Sequence, residues 1–359
     1  MNSDSASPSS CPSASPKSRW FRIAAIASGL LAGLFLGALF LMLRAWLFPS
    51  TQWIYLYEPG HEKTGHRYIY DKTYGWRNIP NWRGTTFGQP LTINSKGLRD
   101  SEHSYAKPAG SQRILILGDS YTWGYGVGDD EVYTEVLERK LRTQGSWQVL
   151  NAGVSGWGTD QQYLYLREEG FRYNPDIVIV SFFFGNDFRE ISASQQYQLD
   201  KPVFLNTSLT LANVPVPKPR KASANPVVYS QSPSDQLADA IFRRLSSDCR
   251  NRGVKLIVFK FGTYLDPATL KALHGDMPEP KRQGILEMMR HSDLFSENMR
   301  RIPGLHYFDI DRVFATRGFS FEELGVIASR DMHWNAFGHK QVAENLYSFL
   351  LKDGHLTPR

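Results

Sequence analysis

The chain has 359 residues, 41 Lys and Arg against 35 Asp and Glu, a formal net charge of +6, and hydrophobic and aromatic shares of 42% and 13%. Such apolar shares exclude a wholly disordered chain, and at roughly 100–200 residues per domain the length allows two domains or one large α/β domain with additions. The basic excess is scattered and forms no stripe, so no nucleic-acid partner is expected.

Residues 1–18 are rich in Ser, Pro and Ala and read as a disordered cytoplasmic tail. From Ile23 to Leu43 the residues are apolar or small and uncharged, which meets the ~20 residues a membrane-spanning helix needs. Lys17, Arg19 and Arg22 precede this run and Arg44 alone follows closely. The positive-inside bias therefore predicts a single-pass anchor over 23–43, with the N-terminus cytoplasmic and the rest periplasmic or extracellular. Trp20 and Trp46 stand at interfacial positions. The run exceeds the about 7–15 residues of a signal-peptide core, and no Ala-x-Ala site follows it, so an uncleaved anchor is the expectation. Cys11 and Cys249 lie on opposite sides of the span, and neither has metal-ligand spacing around it.

Residues 50–110 are aromatic and punctuated by Gly and Pro, which predicts a small β-rich accessory element. From 111 to 354 apolar strands alternate with helices. Strands are expected at Arg113–Leu117, Trp147–Leu150, Ile177–Phe184, Val254–Phe259 and His306–Asp309. Helices are expected at Tyr133–Arg142, Asp160–Glu169, Asp235–Arg252, Gly284–Arg301 and Ala336–Leu351. Fully apolar strands between helices predict a mainly parallel sheet covered on both faces, a three-layer α/β/α sandwich. A Pro-rich stretch at 190–233 interrupts this rhythm and reads as a lid or a flexible insertion.

Four segments at strand ends carry candidate chemistry. Gly118-Asp119-Ser120 ends the first strand and offers a serine nucleophile at the carboxyl edge of the sheet. Gly153, in the turn sequence after the second strand, and Asn186, after the third, offer oxyanion donors beside the Ser120 N–H. Asp331-Met332-His333, just before the last helix, offers an imidazole with a carboxylate two places away. Together these are the parts that acyl transfer through serine requires.

With these blocks in this order, residues 112–352 resemble the SGNH, or GDSL-type, hydrolase family, with a flavodoxin-like sheet. The resemblance implies Ser120 as nucleophile and oxyanion donor, Gly153 and Asn186 as further oxyanion donors, His333 as general base and Asp331 as its orienting acid. It implies no metal or organic cofactor. Many relatives carry the acid three places before the histidine, where this chain has Arg330. His339 is a rival base expected to pack or face solvent, and Asp119 and Asp187 are expected to be structural acids. Trp123, Tyr125 and Trp157 flank the blocks and are candidates for lining a substrate cleft. The expected function is an anchored serine esterase hydrolysing O-acyl, chiefly O-acetyl, esters on carbohydrate or small molecules. The alternatives are an O-acyltransferase on exported polysaccharide, a lipid-directed esterase and an anchored binding protein without activity.

Overall fold

The computed structural model describes residues 67–218, 225–327 and 331–356, together with Leu56–Tyr57 and scattered positions between 28 and 42. The tail expected at 1–18 lies outside the described residues, as does most of the span expected at 23–43. Among the described residues no helix is long and apolar enough to cross a membrane. Residues 54–359 form one compact unit, apart from 1–53, so the accessory stretch and the α/β region share a single body.

The accessory stretch is β-rich, as its turn residues predict. β1 (Leu56–Tyr57) pairs with β2 (Tyr68–Asp71), which forms an antiparallel hairpin with β3 (Gly75–Asn78). A second hairpin joins β4 (Arg83–Thr86) to β5 (Gln89–Thr92) through Phe87 and Gly88, both at positive φ. A two-residue turn of that kind matches the twist of the paired strands.

The central sheet is built from β6 (Gln112–Gly118), β7 (Trp147–Gly153), β8 (Ile177–Phe183), β13 (Lys255–Phe261) and β14 (Leu305–Asp309), all parallel, in the order β14-β13-β8-β6-β7. Alternate side chains of each strand face opposite sides. Leu115, Leu117, Val178, Val180, Leu256 and Val258 enter one core with Leu164, Phe242 and Phe295. Ile114, Ile116, Ile177, Ile179, Ile257 and Phe259 enter the other with Tyr133, Leu137, Val342 and Leu346. Two apolar faces explain why the strands read as unbroken hydrophobic runs. The helices are α1 (Ser120–Trp123), α2 (Tyr133–Leu141), α3 (Thr159–Glu168), α4 (Asp187–Glu190), α5 (Ser234–Arg250), α6 (Pro267–His274), α7 (Glu279–Arg301), α8 (Ile310–Arg317), α9 (Phe321–Leu324) and α10 (Ala336–Lys352). The strand order reverses at β6, because β7 lies on one side of it and β8 on the other. Open α/β sheets bind ligands in the crevice that such a reversal leaves at the carboxyl ends of the strands.

The insertion is packed. Its described part forms two small ladders, β9 (Gln195–Gln196) with β10 (Leu199–Asp200) and β11 (Val203–Phe204) with β12 (Leu211–Ala212). Lys201, Val203, Phe204 and Val216 are buried. Val216 N–H donates to the Lys72 carbonyl of the first hairpin at 2.7 Å, which ties the insertion to the accessory element.

Candidate active site

β6 delivers the chain to the sheet edge at Gly118, and the next residue, Asp119, caps α1 by accepting Tyr121 N–H at 2.9 Å. Ser120 is thereby the first residue of a single helical turn, whose leading N–H groups have no partner within the turn. Gly124, at φ +86°, closes that turn in the left-handed region, a conformation that suits glycine.

From the other end of the chain, β16 (Asp331–Trp334), paired with β15 (Gly325–Ile327), brings His333 to Ser120. His333 Nε2 lies 2.7 Å from Ser120 Oγ. The imidazole is stacked on Tyr121 at 4.6 Å between ring centres and tilted against Tyr125 at the same distance. Buried Trp334 and the Asn335 side chain, which accepts Gly338 N–H at 2.9 Å as the cap of α10, fix the strand that carries it. Asp331 stands in the same strand two places before His333, and its side chain lies outside the described residues.

Asn186 follows β8, the neighbour of Ser120's strand, and caps α4. Its Nδ2 donates to Glu190 Oε1 at 2.8 Å, and its Oδ1 is buried without a partner. An amide nitrogen carries two hydrogens, so one remains beyond the bond to Glu190.

Residues 116–341 match the model of the GDSL-like Lipase/Acylhydrolase family. The chain belongs to that family. It is therefore a hydrolase acting on ester bonds, and the match spans every strand-end block of the site. No curated protein sequence matches the chain. Solved structures similar to it include the lipase/acylhydrolase from Enterococcus faecalis, at 17% identity and a TM-score of 0.38 over 69% of this chain and 98% of that one. An esterase from Pseudoalteromonas sp. has 14% identity and a TM-score of 0.40 over 68% of this chain and 100% of its own. An acetyl xylan esterase has 15% identity and a TM-score of 0.39, covering 66% of this chain and 99% of that one.

Gly153 has another task than the one its position in the sequence suggests. Its N–H donates to Asn151 Oδ1 at 2.9 Å, while Asn151 Nδ2 donates to the Thr122 carbonyl at 2.8 Å. A Cβ on Gly153 would strike the backbone nitrogen of Trp123. The glycine is needed for the close approach of β7 to α1, and its amide is committed to Asn151 instead of facing an oxyanion.

The aromatic candidates also need correction. Trp123 and Trp157 are 0% and 1% exposed, and Tyr125 is buried as well. Trp123 Nε1 donates to Asn78 Oδ1 at 3.1 Å and Trp157 Nε1 to the Trp76 carbonyl at 2.9 Å. A buried indole whose N–H is satisfied inside the protein is core, so neither tryptophan lines a cleft, and Tyr125 serves as a wall for His333. Their partners were missed in the sequence. Asn78 also donates to the Gly153 carbonyl at 3.2 Å, and Arg99 donates to the carbonyls of Trp123, Gly124 and Val127. The accessory stretch thus braces the turn that holds Ser120. Nothing in their local sequence marks these residues, because the contacts span 24 to 75 positions.

His339 is a core residue. Its Nδ1 accepts Tyr133 N–H at 3.2 Å, and burial lowers it to about 3, so it stays neutral and packed. Asp119 and Asp187 each accept a nearby backbone N–H. Asp187 Oδ2 accepts Phe183 N–H at 2.7 Å, and burial followed by the nearby Glu190 pushes its carboxyl well above the usual range. Burial raises Asp119 to about 6, with the Tyr121 N–H and His333 opposing the rise. Glu190 itself is pushed up to about 8, mainly by burial. The ion pair between Lys201 and Asp160, both fully buried, completes this group.

Proposed function

We propose that this chain is a serine esterase that hydrolyses small O-acyl esters, with Ser120 as nucleophile and His333 as general base. The observation that carries the reading is the 2.7 Å contact between His333 Nε2 and Ser120 Oγ, the distance at which an imidazole takes a hydroxyl proton. Ser120 Oγ attacks the ester carbonyl carbon while its proton passes to Nε2. The tetrahedral oxyanion is held by the Ser120 N–H at the start of α1 and by the Asn186 N–H that Glu190 does not use. Collapse expels the alcohol, which takes the proton back from His333. Water then attacks the acyl-serine by the same route and frees the acid. Asp331, two places before His333 in the strand, is the carboxylate proposed to orient the imidazole.

The uncharged run from Ile23 to Leu43 and the basic residues before it support an anchored enzyme working outside the cytoplasm. That placement favours acetylated glycans as substrates, while the buried Trp123 and Trp157 lend the glycan no stacking surface. The test is turnover of p-nitrophenyl acetate and of acetylated xylan by the full chain in detergent. Ser120→Ala is expected to abolish both, and wild-type turnover in that variant sinks the reading. Release of free acetate distinguishes hydrolysis from transfer to an added glycan.

A further inference from the structure

Glu190 ends α4 four places after Asn186, so the two share one side of a single turn. Its Oε1 accepts from Asn186 Nδ2 at 2.8 Å, from Gln196 Nε2 at 2.6 Å and from the Tyr197 hydroxyl at 3.3 Å. Gln196 and Tyr197 belong to the β9–β10 hairpin of the insertion, whose turn places Tyr197 and Gln198 at φ of 50° and 63°. Left-handed conformations at two successive non-glycine residues persist only where the surroundings hold them, and the bond to Glu190 is one such hold. A single buried carboxyl, 1% exposed, thus meets an oxyanion donor on one side and the insertion on the other.

We propose that Glu190 is a positioning residue that fixes the Asn186 carboxamide for the oxyanion and ties it to the Gln195–Asp200 hairpin. The inference rests on the reading of Asn186 as an oxyanion donor. Charged and titratable groups face Glu190 from each neighbouring element: Asp119 before α1, Asp160 on α3, Asp187 and Arg189 on α4, Tyr197 in the hairpin and Lys201 after β10. Burial and the negative Asp119 outweigh Lys201 and Arg189, so Glu190 keeps its proton up to about 8. In the neutral acid Oε1 serves as the shared acceptor and Oε2, which has no partner, carries the proton. Ionisation sets a negative charge one hydrogen bond behind the amide that must stabilise another negative charge, which opposes the transition state.

The test is kcat and KM for p-nitrophenyl acetate from about pH 5 to about pH 10, using the full chain in detergent. Wild type is expected to lose kcat as pH rises through about 8. Glu190→Gln, which keeps the acceptor and cannot ionise, should hold kcat within about threefold of wild type at neutral pH and lack that decline. Glu190→Ala should lower kcat by about 10- to 100-fold with KM within about threefold, because Asn186 loses its orientation. Wild-type kcat in Glu190→Ala, or an alkaline decline in Glu190→Gln equal to that of wild type, overturns the proposal. Where Glu190→Ala does not fold, the Glu190→Gln profile decides alone. Unchanged kcat in Asn186→Ala, with Ser120→Ala inactive, removes the oxyanion reading and this proposal with it. Loss in Asn186→Ala with unaltered Glu190 variants overturns the positioning role only.

Discussion

The two sides of Ser120 are built from different materials. On the side of the proposed base, His333 is held by Tyr121, Tyr125 and the strand that ends at Trp334. On the proposed oxyanion side, Asn186 sits among the buried acids Asp119, Asp160, Asp187 and Glu190, with Lys201 paired to Asp160. A base must swing a proton between two partners, and rings that fix its plane suffice for that. An oxyanion donor must stand ready where charge develops, and a preorganised polar shell does this at the expense of burying acids. If the contrast is right, the base side answers to loss of a functional group and the oxyanion side answers to pH as well.

The largest effect should come from the pair itself. Ser120→Ala and His333→Ala are each expected to lower kcat by on the order of 10⁴–10⁶, without additivity in the double variant, as steady-state kinetics will show. Additive losses would mean that the two do not act as a unit. Next is the aromatic brace shared by the accessory hairpin and the nucleophile turn. Trp123→Ala should remove about 3–5 kcal/mol of stability in urea unfolding, whereas a change in glycan affinity at unaltered stability would return Trp123 to the cleft. On the oxyanion side, Asn186→Ala should reduce kcat by on the order of 10²–10³ with KM little changed. The smallest effect concerns stability. The folded state keeps the Glu190 proton up to about 8 against the usual 4.5, so it binds that proton more tightly than the unfolded chain. Stability contributed by this group is full below about 4.5 and is lost as pH rises to about 8. Glu190→Gln lacks that loss, so its Tm relative to wild type should be higher at the alkaline end of the window than at the acid end. Equal Tm differences at both ends would remove the special environment assigned to Glu190.

The parallel sheet and the order of the segments that meet at Ser120 were legible because the signals are local. Ile177–Phe183 is buried along nearly its whole length and therefore apolar at nearly every position, Ser120 and Asn186 each follow a strand, and His333 stands shortly before the last helix. What failed depended on which side chain meets which backbone or side-chain group. Trp123 and Trp157 look like cleft residues until Asn78 and Trp76, from the accessory hairpin, are seen to satisfy their indole N–H groups. Gly153 looks like an open amide until Asn151, two places before it, is seen to bend back and accept it. The prolines of 190–233 advertise a loop, while its order comes from Lys201 against Asp160 and from Val216 against Lys72. Pairings of that kind carry no period or turn signature.

Labelling of the full chain with a fluorophosphonate, followed by mapping of the adduct, tests the Ser120–His333 pair most directly. The expected result is a single adduct on Ser120, formed in wild type and slowed by orders of magnitude in His333→Ala. An adduct on another residue, or labelling of Ser120 at the wild-type rate without His333, would contradict the account.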